Sequence, residues 1–311
     1  MTEFEREAAN LQERFGQPGA VAFEASPLGG VVAILTAGGG TVSVALQGGQ
    51  VLSWIPGPGE PDVLWCSPLS RLGSGKPVRG GIPLCWPWFG PHPDAAASLP
   101  AHGFVRAAPW QVIGVTVEGD APLNGRVSLS LRTALAPAQH AVLGCEAGVE
   151  MCVTLDAGLE VALITTNAGP ADLILSEALH TYFGVGDIAD VHISGLDGLT
   201  YRDQLIGTEA IQSGSIAIDR EIDRIYWNVT APVSLQDSGR GRSIAIAATG
   251  SASTVVWNPW QDKAARLGDM TPEGFRRMVC VETGNIAPRN AVTVVTGGTH
   301  RLACRYTCIK P

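Results

Sequence analysis

Apolar alternation with a period of two, repeated along nearly the whole chain, is the feature that most limits what it can become. In "RVSLSLRT", Val127, Leu129 and Leu131 alternate with Ser128, Ser130 and Arg132, the signature of a strand with one face buried. "TVSVALQGGQVLSW" reads as strand, glycine turn, strand, and "GVEMCVTLDAGLEVALITT" as a second hairpin turning at Asp156 to Gly158. "LILSEALHTYF", "VSLQDSGRGRSIAIAAT", "STVVW", "MVCVE" and "AVTVVTGGTHRLACRYTCI" continue the series. Short strands separated by turn signals predict an all-β chain folded as a large antiparallel sandwich or barrel.

Helices are few in this reading. Thr2 and Glu5 have capping-box spacing, Phe4, Ala8, Leu11 and Phe15 form one apolar face, and Gly16 with Pro18 ends the run. A short N-terminal helix within residues 1–16, packed on the sandwich, is expected. "DMTPEGFRRM" predicts a helical turn capped by Thr271 and opened by Pro272. A length of 311 residues suggests two domains, but no linker, composition break or internal repeat divides the chain. A single domain over 1–311 is the expectation.

The charge balance narrows the partners. With 21 basic against 29 acidic residues the net charge is −8, the wrong sign for a general nucleic-acid or membrane-surface role. The start, "MTEFEREAANLQERFG", is acidic where a signal peptide is basic and then apolar, and no run approaches the ~20 apolar residues of a membrane span. The seven cysteines (66, 85, 145, 152, 280, 304 and 308) are scattered and form no C-x-x-C pair, which predicts buried free thiols in a cytoplasmic protein. A monomer is expected, with a dimer left open.

Against this background "PVRGGIPLCWPWFGPHP", Pro77 to Pro93, stands out for five prolines, three glycines and three large aromatics behind one arginine, Arg79. Prolines cannot serve a sheet ladder, so the stretch predicts a stiff surface loop. Gly80 and Gly81 would let a ligand approach the backbone. Arg79, and Arg106 in the following "AHGFVR", suit a phosphate or carboxylate through their planar forks, or else make ordinary surface ion pairs. Trp86, Trp88 and Phe89 could stack on a sugar or pack beneath the loop.

His102 and His180 sit at strand ends, where an imidazole can be structural or can exchange a proton near neutral pH. Glu282 ends the apolar run "RRMVCVE" and either reaches a site or pairs with Arg276 or Arg277. Asp223 could hold sugar hydroxyls or pair with Arg224, and Trp257 with Asn258 suits a polyol. Metal is not expected, because the six histidines show no H-x-H, H-x-x-x-H or H-E-x-x-H spacing.

Taken in order, "VRGGIPLCWPWFGPH", "HGFVR", "SEALHTYFGVGDI", "DRIY", "VVWNPW" and "MVCVETGN" resemble the hexose-6-phosphate mutarotases, the glucose-6-phosphate 1-epimerase branch of the aldose 1-epimerase family. The resemblance spans Val31 to Ile309. It implies a galactose-mutarotase-like β-sandwich enzyme with neither metal nor organic cofactor, acting on a small sugar phosphate. By position, His180 matches the family's catalytic acid and Glu282 its base. Arg79 and Arg106 match substrate-holding arginines, Asp223 a substrate-binding aspartate, and His102 a second site histidine. Relatives often carry glutamine where this chain has Ala101. Such an enzyme opens the hemiacetal ring and closes it on the other face, with acid and base expected on opposite sides of the sugar. The rate would then fall in acid as Glu282 is protonated and in alkali as His180 is deprotonated. A glycoside hydrolase would need two carboxylates. A sugar-phosphate sensor, or a mutarotase of unphosphorylated aldoses, would use the same binding groups.

Overall fold

Two large antiparallel sheets carry most of the strands in the computed structural model, which describes residues 1–72, 75–94 and 98–310. The nine-stranded sheet includes the hairpin Ala147–Leu155 and Leu159–Asn167, which turns at 156–158 as its sequence predicts, and the last strand, Thr299–Ile309. The eight-stranded sheet is built around Ile222–Trp227, Ser253–Asn258 and Met278–Asn285, with Glu177–Leu179 and Tyr182–Gly184 both pairing to Met278–Asn285. A separate four-stranded meander runs from Val21–Ala25 through Val31–Ala37 and Gly40–Ala45 to Gln50–Ile55.

The two large sheets meet through their apolar faces in one continuous core. Leu129, Leu131, Met151 and Val153 come from the nine-stranded side, and Phe183, Val279 and Val281 from the eight-stranded side. Phe183 packs edge-on against Tyr306 with centroids 5.8 Å apart, and the Thr283 hydroxyl donates to Cys304 Sγ at 3.4 Å. These contacts fix which way Met278–Asn285 faces. Its odd residues point between the sheets, and its even residues point outward.

The N-terminal helix spans Glu3–Phe15 and carries the capping box: Glu5 N–H donates to Thr2 Oγ1 at 3.2 Å and Thr2 N–H to Glu5 Oε2 at 2.6 Å. Ala8 is buried, and Leu11 and Phe15 pack on the core. Two further helices, Pro137–Leu143 and Trp260–Ala264, escape the period-two reading because each is short. The "DMTPEGFRRM" turn is a 3₁₀ segment, Gly274–Arg277, that starts after Glu273. Thr271 does not cap it through its side chain; its carbonyl accepts from Gly274 N–H at 2.9 Å.

The proline-rich segment also differs from expectation. Residues 80–88 are buried, and Leu84–Cys85 form a short edge strand on Glu177–Leu179, so proline ends the ladder here without excluding it. Gly80 and Gly81 have φ of 125° and 60°, and a Cβ on either would strike the Trp65–Cys66 or the Val51 backbone. Protein backbone, not a ligand, occupies the space those glycines leave. Trp86 donates to Thr165 Oγ1 at 2.9 Å and Trp88 to the Pro100 carbonyl at 3.0 Å, so both tryptophans pack inward. All seven cysteines are free thiols. No helix among the described residues is long and apolar enough to cross a membrane.

Candidate active site

Sheet register assembles the floor of the site. Asp223 pairs with Trp257, Trp257 with Cys280, and Cys280 with Tyr182, so four strands place these side chains in a row on the outward face. Glu282 lies two residues beyond Cys280, on the same face. Asn258 follows Trp257 by one and therefore points the other way. Its amide donates to the Phe275 and Met278 carbonyls at 2.9 and 2.8 Å and accepts from Trp260 N–H at 2.8 Å. The sugar contact expected of Asn258 is thus replaced by a buried tie between strand and 3₁₀ turn.

His180 sits between the strands Glu177–Leu179 and Tyr182–Gly184, its N–H bonded to the Pro83 carbonyl at 3.0 Å. The imidazole stacks on Tyr182 (4.8 Å, 14°) and meets Trp257 edge-on at 6.3 Å. Its Nε2 lies 3.3 Å from Glu282 Oε1. Acid and base candidates therefore touch each other. Arg276 pairs with Asp187, and the Arg277 guanidinium donates to the Gly186 carbonyl, so neither is the partner of Glu282.

Burial governs the charges. It pulls His180 well below the ordinary histidine range, helped by His102, Arg106 and Arg79. It pushes Glu282 well above the carboxylate range, with Asp223 adding repulsion. Asp223 is itself raised to about 6, by burial first, with Lys263 opposing. Arg224, its suggested partner, is instead 3.9 Å from Asp203 and lies over the Tyr201 ring. His102 is lowered to about 3 by burial, Arg106 and Arg79. Its Nδ1 accepts from Gly90 N–H at 3.3 Å and lies 3.3 Å from Cys85 Sγ, which leaves Nε2 to carry the proton.

At the Tyr182 end of this floor opens a cavity of about 410 Å³, a size suited to a small ligand. It is lined by His180, Tyr182, Pro83, Arg79, Arg106 and Asp269 among others, while Asp223, Trp257, Glu282 and His102 lie outside its lining. Arg79 Nη1 donates to the Tyr182 hydroxyl at 3.2 Å, and Nη2 lies 3.0 Å from Asp269 Oδ2. Arg106 projects from the 3₁₀ turn Val105–Ala107 and donates to the Ala101 carbonyl at 2.8 Å. Arg79 Nε and His180 Nδ1, on two cavity-lining residues, are buried without a hydrogen-bond partner, as are Glu282 Oε2 beside His180 and Glu177 Oε2 away from the cavity.

Tyr182 and Cys280 were not among the sequence candidates. Tyr182 stands two residues after His180, so parity alone could have suggested it; Asp269 comes from a loop with no local signal. His180, Cys280 and Glu282 each offer a donor atom, all within 4.8 Å of one another. Sequence spacing could not show this trio, which combines two separate segments. Burial and Glu282 hold the Cys280 thiol well above its ordinary value.

The chain is 34% identical over 257 residues to the "Putative glucose-6-phosphate 1-epimerase" of Escherichia coli (strain K12), covering 81% of this chain and 82% of that protein. A protein of the same name from Cenchrus ciliaris is 30% identical over 250 residues, covering 77% and 73%. A crystal structure of a "putative mutarotase (YeaD)" from Salmonella typhimurium superposes with a TM-score of 0.84 at 29% identity, covering 94% of each chain. A galactose mutarotase-like protein from Clostridium acetobutylicum, 13% identical, shares the fold with a TM-score of 0.71 over 94% of this chain and 98% of its own. The family model of aldose 1-epimerase matches residues 31–307. With its sandwich and ordered motifs, this chain belongs to the aldose 1-epimerase family.

Proposed function

We propose that the protein interconverts the α and β anomers of a hexose 6-phosphate, with glucose 6-phosphate the favoured substrate. The observation that carries this reading is the placement of a buried His180–Glu282 couple beneath a cavity whose wall presents Arg79 and Arg106. Ring opening requires a base for the anomeric hydroxyl proton and an acid for the ring oxygen. Both oxygens are bonded to the same carbon, so an acid and base in contact suit the task better than a flanking pair. Glu282 takes the hydroxyl proton as His180 delivers one to the ring oxygen. The aldehyde turns, closure reverses both transfers, and each group is regenerated without a covalent intermediate.

Trp257 and Tyr182 wall the reacting end, and Asp223, at the end of the cross-strand row, holds sugar hydroxyls. His102, protonated on Nε2, donates to the sugar. The arginines grip the phosphate, and that remote binding energy orients C1 over the couple. Each charge-assisted contact is worth ~1.5–3 kcal/mol. Arg79→Ala or Arg106→Ala should therefore raise KM for glucose 6-phosphate roughly 10–100-fold, with little change for glucose. Anomer-exchange NMR on both sugars, corrected for the spontaneous reaction, measures this. Equal effects on the two sugars would place the arginines outside phosphate recognition. A protein that binds glucose 6-phosphate without speeding exchange would be a sensor.

A further inference from the structure

Resting on the hexose-phosphate reading, one carboxylate stands where an anion should go. Arg71, Lys76, Arg79 and Arg106 all line the cavity, and Asp269 shares that wall with them. Asp269 Oδ2 lies 3.0 Å from Arg79 Nη2, and its side chain is 47% exposed. Arg79 Nε, the other half of the same side-on fork, is buried without a partner. Nη1 is already held by the Tyr182 hydroxyl. The side-on edge, one of the guanidinium's bidentate edges and the one that does not involve Nη1, is thus half taken by a monodentate carboxylate and half without a partner.

Asp269 sits in a turn after the helix Trp260–Ala264, where Met270 N–H donates to the Leu267 carbonyl at 3.3 Å. Met270 is buried in the core and anchors the turn, while its neighbour Asp269 faces the cavity. The carboxylate can swing toward solvent without disturbing that anchor.

We propose that Asp269 is a displaceable counter-ion: it occupies the Arg79 fork in the empty enzyme, and the substrate phosphate expels it by bonding both Nε and Nη2. Asp269 thereby imposes the same cost on every phosphate ligand, which one anchored at its other end can meet. A monodentate or weakly held anion gains little by replacing one carboxylate, whereas a sugar phosphate anchored at its other end completes the fork. Inorganic phosphate, present wherever sugar phosphates are, is held off by the same device.

The test compares wild type with Asp269→Asn, and both again in an Arg79→Ala background. It reads KM for glucose 6-phosphate and the inhibition constant of inorganic phosphate, with glucose kinetics as the phosphate-free reference. An ion pair with a half-exposed acid predicts that Asp269→Asn tightens both phosphate ligands roughly two- to fivefold. The gain should vanish without Arg79. Unchanged or weaker phosphate binding in Asp269→Asn, in a wild type that prefers the phosphorylated sugar, overturns the counter-ion role. A gain that persists without Arg79 also overturns it, because the carboxylate would then be acting as general charge. A wild type that neither prefers glucose 6-phosphate nor binds inorganic phosphate removes the hexose-phosphate reading, and the counter-ion role with it.

Discussion

His180–Glu282 and His300–Glu177 are built from the same parts on opposite faces of one sheet. In each, an imidazole Nε2 approaches a buried carboxyl oxygen, at 3.3 Å in the first and 3.0 Å in the second. Glu282 belongs to the outward face of Met278–Asn285. Glu177 pairs with Asn285, whose odd position turns both toward the nine-stranded sheet and His300. There Asn285 Nδ2 lies 3.2 Å from His300 Nε2 and donates to the Gly250 carbonyl at 2.7 Å. His180 lines the cavity, and neither member of the His300–Glu177 couple does.

The surroundings separate the two couples. The hydrogen bond to Glu177, then its charge, lifts His300 above the ordinary histidine value, while burial raises Glu177. This couple therefore differs from the first at its imidazole, and its place between the sheets makes it a structural tie. His180 is enclosed and faces two guanidinium groups and His102, which disfavour its positive charge, while burial disfavours charge on Glu282. That couple shares one proton: on Glu282 it leaves both groups neutral, and its passage across the 3.3 Å contact to His180 makes Glu282 the base and His180 the acid. Moving it to a substrate oxygen requires no escape from a strong ion pair. Pair geometry alone does not identify an acid–base site; the charges facing it do.

The largest expected effect breaks the first couple. Glu282→Gln and His180→Asn should each lower kcat for anomer exchange roughly 10²–10⁴-fold, with circular dichroism and sugar-phosphate affinity nearly unchanged. The double variant should cost far less than the product, because a base without its acid cannot complete the exchange. Independent, multiplicative losses would show that the two residues do not work as a unit.

Breaking the second couple should show in stability instead. Glu177→Gln leaves His300 beside a neutral amide in a buried setting, which costs ~2–3 kcal/mol once the partial exposure of His300 is discounted. Urea unfolding checks the loss, and exchange rates per folded molecule should stay near wild type. A normal stability with a collapsed rate would reverse the roles assigned to the two couples.

The same parity that separates these couples explains what the sequence could reveal. Alternation in "RVSLSLRT" and the 156–158 hairpin was legible because each strand has one polar and one buried face. Met278–Asn285 is buried on both faces, so its sequence does not announce which residues face the site. Glu282 was nameable there as the one carboxylate in an apolar run. Trp257 and Asn258 looked equally suited to a sugar, and only the register shows that neighbours in a strand serve opposite faces. The Arg79 and Arg106 positions were recoverable from ordered motifs, but the contact between Arg79 and Asp269 joins residues far apart in sequence and had no local trace. The direct touch of His180 and Glu282, and with it the assignment of the pH limbs, likewise needed the fold.

The pH–rate profile of glucose exchange tests the one-proton couple most directly, since glucose lacks the phosphate that itself titrates near ~6. In acid, activity falls when a second proton enters on His180, which its surroundings hold well below the ordinary histidine value. In alkali, it falls when the shared proton leaves Glu282, held well above the ordinary glutamate value. The limbs belong to the couple as a whole, and both shifts move them apart. The account predicts a broad plateau across neutrality after subtraction of the spontaneous rate. A narrow peak confined between the ordinary values of ~4.3 and ~6.5 for glutamate and histidine would contradict it.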